Sequence, residues 1–172
     1  MLYNVVILQF TKMLHNLDLC LDKAAAYAEA KKFDSAVLMN ARLAPDQLHM
    51  IRQVQIACDT AKLGASRLTG KAAPAFDDTE TTLAEAKARI AKTIEHLQTY
   101  TADDFVDSLD RTITQPRWAG KTLTGHEFAL HHMVPNFYFH ITTAYAILRH
   151  NGVDLGKKDY LGAMPFKEPA AG

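Results

Sequence analysis

Five of the eight histidines fall between Gly125 and Gly152, in the run GHEFALHHMVPNFYFHITTAYAILRHNG. A neutral imidazole can ligate a divalent metal or move a proton when other donors converge on it, so what matters is which of these rings share a face. At helical steps of about 100°, Leu130, Met133, Val134, Phe137, Ile141, Ala144, Ile147 and Leu148 occupy one sector, which must face a core. His140 lies inside that sector near its edge, with Asn136 about 40° and His132 about 80° further round on the same geometry. The three form a polar seam at spacing i, i+4, i+8, whereas His131 points the opposite way with Arg149. His140 and His132 are the candidate metal ligands, and His140 and Asn136 the candidate contacts for an organic ligand. Asn136 is a poor zinc ligand, because zinc favours Cys, His and carboxylate. The plainer role for an inward-facing imidazole is a buried ring satisfied by a hydrogen bond, as any buried polar group must be. Pro135 lacks an N–H and crowds the preceding turn, which predicts that the helix kinks or ends between His132 and His140.

Three further helices must position this seam. The first runs from about Tyr3 to about Lys31, with Tyr3, Ile7, Phe10, Leu14, Leu17, Leu21, Ala24, Ala25 and Ala28 on one face and Asp18 on its flank. Ala44-Pro45-Asp46 opens the second, because proline and an acid suit a first helical turn, and Gly70 ends it. Its stripe reads Leu48, Ile51, Val54, Cys58, Ala61, Ala65 and Leu68. On ideal geometry His49 and Gln53 point away from that stripe, while Gln55 sits on its flank and is expected to bridge to His140 or Asn136. The third helix follows Pro74, with Asp77 and Glu80 at the spacing of a capping pair and Leu83, Ala86, Ile90, Ile94 and Leu97 inward. Glu85, Lys87, Arg89, Lys92 and Glu95 on its other face imply water.

The helical period disappears from Thr101 to Thr124. Alternation in Arg111-Thr-Ile-Thr-Gln115 and Lys121-Thr-Leu-Thr124 predicts a short β-hairpin, anchored by Trp118 or Ile113 and able to wall one end of a pocket. After Gly152 the chain is expected to be irregular, with its last residues disordered or docked on a second subunit. The reading is an all-α chain with one domain over 1–163 and a tail over 164–172.

Charge is balanced at 19 Lys plus Arg against 19 Asp plus Glu, so the electrostatic footprint needed for nucleic acid or an anionic membrane is missing. Cys20 and Cys58 fall in apolar helical patterns and imply no disulfide framework. No apolar run reaches the roughly 20 residues of a membrane span, and the opening MLYNVVILQF lacks the basic start and small-residue cleavage site of a signal peptide. A reduced cytoplasmic compartment is expected. A Gly-rich phosphate loop, CxxC, HExxH and a nucleophile elbow are all absent from the sequence. Tyr138 and Phe139 fall outside the core sector and Tyr145 lies near them, a surface that predicts cover by the hairpin, the tail or the second chain of a homodimer.

The words PNFYFHITTAYAILRHNGVDLGKKDYLG and LAPDQLHMIRQVQIACDTAK resemble an uncharacterised bacterial and fungal family of unknown function, grouped with the DinB/YfiT-like superfamily, over almost the whole chain. The resemblance implies a DinB-like four-helix bundle with the hairpin between helices three and four. Many superfamily members hold a divalent metal through one histidine on the second helix and an HxxxH pair on the last. Here Asn136 stands at the first place of that pair and His140 at the second. Two expectations follow: a small-ligand-binding bundle or vestigial metal site built on His140, Asn136 and Gln55, or an enzyme resembling the superfamily's thiol transferases and isomerases. In the second, a divalent cation, zinc or nickel, would lower the pKa of a thiol or water.

Overall fold

The computed structural model describes residues 1–168. The chain enters through a π-helical turn, Asn4–Gln9, that runs on into α1, Phe10–Lys31. A short α2, Ala36–Asn40, leads to α3, Met50–Thr69, which Gly70 closes at φ 80°, and then to α4, Leu83–Leu97. Strands β1, Thr112–Ile113, and β2, Leu123–Thr124, pair antiparallel, with Thr112 opposite Thr124 and Ile113 opposite Leu123. The last long helix is continuous but changes winding: α5, Gly125–Phe128, a π-helical stretch, Ala129–Met133, and α6, Val134–His150. A terminal helix, α7, Lys157–Leu161, follows.

Round the bundle the order is α1, α4, α3, α6, so α3 is flanked by α4 on one side and α6 on the other. Apart from Leu48, exposed in the loop before α3, and Leu130, the expected apolar stripes meet in one core, where Phe10 of α1 stacks on Phe137 of α6 at 3.8 Å between ring centres. The hairpin is tied to the start of α5 by a close approach. A Cβ on Gly125 would collide with the Ser108 carbonyl oxygen, and the His126 amide donates to the Leu109 carbonyl at 2.9 Å. Among the described residues no helix is long and apolar enough to cross a membrane.

Several expectations change for identifiable reasons. Helix α3 begins at Met50 rather than at Pro45, because the Met50 amide donates back to the Ala41 carbonyl and the Gln47 amide to that of Ala44, closing a loop over 41–50. Leu130, placed in the core by uniform 100° steps, is 55% exposed. The π stretch holds more residues per turn than an α-helix, which rotates Phe128 and Ala129 inward in its place. Pro135 does not end the helix; it occupies the first turn of α6, where its missing N–H is tolerated, directly after the wider turn. The tail is not wholly irregular. Val153 and Leu155 are buried, and α7 docks on α1 through Asn16, which donates to the Tyr160 carbonyl at 2.9 Å, and through the Lys23–Asp159 ion pair at 2.7 Å. Tyr160 also packs edge-on against Tyr145, and Tyr138 against Phe10, so within the expected aromatic surface only Phe139, 55% exposed, is left open. Residues 169–172, to which the expectation of a disordered or subunit-docked end refers, lie outside the described residues.

The mixed-charge face of α4 is also not simply solvated, since Arg89 is 1% exposed. Its Nη1 donates to the Asp77 backbone carbonyl and to the Glu80 carboxylate at 3.1 Å, which draws Glu80 away from the expected cap of α4; the cap is instead Thr82 with Glu85. Its Nη2 lies 3.0 Å from both Asp59 and Asp78, as ion pairs without hydrogen-bond alignment. Buried Lys62 shares Asp59 at 3.0 Å, and the Phe76 ring covers it at 4.0 Å. Burial works against charge on Glu80, but the hydrogen bonds from Gln55, from its own backbone and from Arg89 hold its carboxyl below the usual range. Arg89 thus fastens the 70–82 connection to the bundle. Replacing it (Arg89→Met) leaves three carboxylates short of a cation and is expected to cost about 3 kcal/mol in urea denaturation; a change below about 0.5 kcal/mol would show that the cluster carries no stability.

Candidate functional site

A cleft of about 510 Å³ opens between α3, the helix running from α5 into α6, and the 115–117 segment of the hairpin. Phe128, His132, Asn136 and His140 line it from the last long helix. Ile56, Asp59, Thr60 and Leu63 face them from α3, with Leu48 at one rim and Gln115, Pro116 and Arg117 closing the other side.

His140 is 6% exposed, and its Nδ1 meets Gln53 Oε1 at 2.7 Å. The Gln53 Nε2 donates to the Leu48 carbonyl at 2.7 Å, so the amide oxygen is the atom turned toward the ring. That oxygen only accepts, so Nδ1 carries the proton and Nε2 presents a lone pair. Burial, and then the charge of Arg52, pushes the imidazole down to about 4. The ring is therefore neutral at pH 7 and can accept a hydrogen bond or a proton at Nε2.

One helical turn before it, Asn136 donates its amide to Thr60 Oγ at 2.7 Å. A further turn back, Arg117 donates to His132 Nε2 at 2.8 Å, which leaves the His132 proton on Nδ1, buried and without a partner. The His132 ring stacks on Phe128 at 5.5 Å and meets Trp118 edge-on at 5.6 Å. Burial, then Arg117, then Arg67 hold its pKa below the usual histidine range. Gln115, 7% exposed in the cleft wall, has an amide nitrogen without a partner.

The structure thus brings His140, Asn136 and His132 to one cleft, as their spacing predicts. It does not bring Gln55 there. Gln55 faces α4, donating to Glu80 at 2.8 Å and accepting from Arg52, while Gln53, read as pointing away, holds His140. The exchange follows from α3 being buried on two flanks, so that a residue outside the main apolar stripe still lies inside the bundle. A readable signal exists: Gln53, Thr60 and Arg67 recur every seven residues, two turns apart on one face. His49 stands just before α3, half-buried and away from the cleft lining.

Among the described residues no three His, Cys, Asp or Glu side chains converge as a metal shell would require. In the cleft, the His140 Nδ1, the Asn136 amide and the His132 Nε2 already have protein partners. The donor set of amides, one hydroxyl, two separated imidazoles and the Asp59 carboxylate, already shared by Lys62 and Arg89, does not fit the three-histidine cation site that the sequence resemblance implies.

Residues 2–161 match the family described as a domain of unknown function, DUF1993. The chain belongs to the DUF1993 family. A similar solved structure is that of a DinB family member protein from Shewanella denitrificans, 60% identical to this DUF1993 chain, covering 98% of it and 96% of that chain with a TM-score of 0.95. The DUF1993 chain accordingly has an all-α, DinB-like fold. No curated protein matches it.

The assigned tautomer has a measurable consequence. The His140 pKa is depressed from its unfolded value of about 6.5 to about 4 in the folded state, so its contribution to stability is whole above pH 6.5 and is lost as pH falls toward 4. Between pH 7 and 4.5 the loss from this group is expected to be on the order of 3 kcal/mol. His140→Phe should flatten that part of the pH dependence in urea denaturation. A signal assigned to the His140 imidazole that titrates near 6.5 in the native protein's NMR spectrum would refute the assignment.

Proposed function

We propose that this chain is a small-molecule-binding helical bundle in which the cleft beside His140 receives an organic ligand rather than a coordinated cation. The observation that carries this reading is the Gln53-fixed His140 tautomer, which leaves a neutral, unprotonated Nε2 in a cleft of about 510 Å³. That volume falls in the range used for small-molecule sites, which are mostly apolar with a few placed polar groups. Ile56, Leu63 and Phe128 supply apolar wall; His140, Asn136 and Gln115 supply the polar groups.

Asn136 and His140 stand where the resemblance places a metal-binding pair, and the DinB-like fold is supported by the solved relative named a DinB family member. On this reading the site is a vestige: the second ring persists, held by an amide, and the ligands that would complete a cation shell are replaced by groups that bind one another.

The test is an NMR fragment screen of the native chain together with elemental analysis of the purified protein. Fragments are expected to shift resonances of His132 and His140, with binding weakened at least about fivefold in His140→Phe by loss of one hydrogen bond. Stoichiometric metal that disappears in His140→Ala would overturn the proposal, as would a screen in which no fragment perturbs the cleft.

A further inference from the structure

The polar groups of the cleft differ in sign from one end to the other. At the His140 end the free ring nitrogen is an acceptor, fixed by Gln53. At the hairpin end the groups are donors. The Gln115 amide nitrogen is unpartnered although the residue is 7% exposed, and Arg117 reaches into the lining with only the neutral His132 as its hydrogen-bond partner. On α3, burial and then the charge of Arg117 work against the charge of half-buried Arg67, and Asp59 works for it. Among the described residues neither arginine has a carboxylate within ion-pair distance. Asp59, the acid in the cleft wall, is already shared by Lys62 and Arg89.

A lining guanidinium, Arg117, with no carboxylate in ion-pair range, beside the buried Gln115 amide N–H without an acceptor among the described residues, leaves the hairpin end short of one negatively charged acceptor. Guanidinium and amide donors suit a planar carboxylate, which can take parallel N–H donors. Asp59 in the same wall disfavours a second negative charge on the ligand. From His132 to His140 the helix advances roughly 12 Å, and Ile56 and Leu63 provide an apolar wall between the ends.

We infer that the cleft takes a small monocarboxylate whose carboxylate seats against Arg117 and Gln115 and whose far end carries a hydroxyl or amine donating to His140 Nε2. This rests on the cleft being an organic-ligand site, and it adds the class of ligand. Arg117 supplies the charge recognition, Gln115 fixes the orientation of the carboxylate, and His140 selects for a donor at the other end. The apolar wall sets the middle of the molecule.

The experiment uses 4-hydroxybenzoate, 4-hydroxybenzamide, benzoate and phenyl phosphate as probes, titrated by NMR into the native chain, Arg117→Gln and His140→Phe. Arg117 is exposed, so its replacement leaves the core untouched. The expected result is that 4-hydroxybenzoate binds at least about tenfold more tightly than its neutral amide, the scale of a charge-assisted hydrogen bond. Arg117→Gln should erase that difference, and His140→Phe should erase the advantage of 4-hydroxybenzoate over benzoate. Acid and amide binding equally in the cleft would overturn the carboxylate assignment while leaving an organic-ligand site standing. Tighter binding of phenyl phosphate than of benzoate would overturn the single-charge assignment. Failure of every probe, charged or neutral, to perturb the cleft would sink the assignment together with the reading beneath it.

Discussion

Helix α3 has neighbours on two flanks, and any polar side chain it carries toward either must find a partner inside the protein. This requirement organises the bundle. Toward α6 the partners are uncharged: Gln53 with His140, and Thr60 with Asn136. Toward α4 they are ionic: Asp59 and Gln55 join Arg89, Lys62 and Glu80 under the ring of Phe76. One helix thereby separates an open side, where its own polar pairs are uncharged, from a closed side where they are ionic. The cleft lies on the side where the hydrogen-bonding groups are few and directional.

How much of this the sequence reveals depends on the range of the interaction responsible. Apolar periodicity reports which face of a helix leaves water, and the stripes of α1, α3, α4 and α6 read correctly because burial of large aliphatic area dominates their placement. The alternation around Ile113 reveals the hairpin for a related reason: a β-strand covering a core shows its period of two. The inward lean of His140 is legible from the same geometry. Its partner is not, because which amide of α3 meets it depends on how the helices cross and on both flanks of α3 being covered. Leu130 escapes a uniform 100° twist, which a π turn breaks without an obvious mark in the sequence. The cap of α4 is not legible because Asp77 and Glu80 offer a good local motif whose Glu80 carboxylate goes instead to a distant arginine in need of counter-charge. Local signals fail where a buried charge competes for the same group.

Helical bundles provide inward-facing rows at every turn, and what those rows can bind is decided by side-chain identity at a handful of positions. An imidazole held by a carboxylate becomes a stronger donor to a metal; one held by a neutral amide, as His140 is, gains less basicity and stays suited to accepting a hydrogen bond. Asn136 goes further in the same direction, since its amide is tied to Thr60 across the helix interface and so braces the cleft. The backbone that fits a cation shell and the backbone that fits a small organic molecule can thus be nearly the same, with the difference carried by amides in place of acids and rings.

The docking of α7 on α1 also shelters chemistry remote from the cleft. Tyr160 closes a small void that it shares with Met13, Leu17 and Cys20, and the Cys20 thiol, 2% exposed, is pushed up to about 11 by burial and then by the nearby Asp159. Both causes weaken when α7 lifts away with Tyr160 and Asp159, so the sulfur gains solvent and acidity in the same event. The rate at which a thiol-selective label captures Cys20 is therefore a clock for the opening of the C-terminal strap, set within the chain by a residue that takes no part in the binding chemistry.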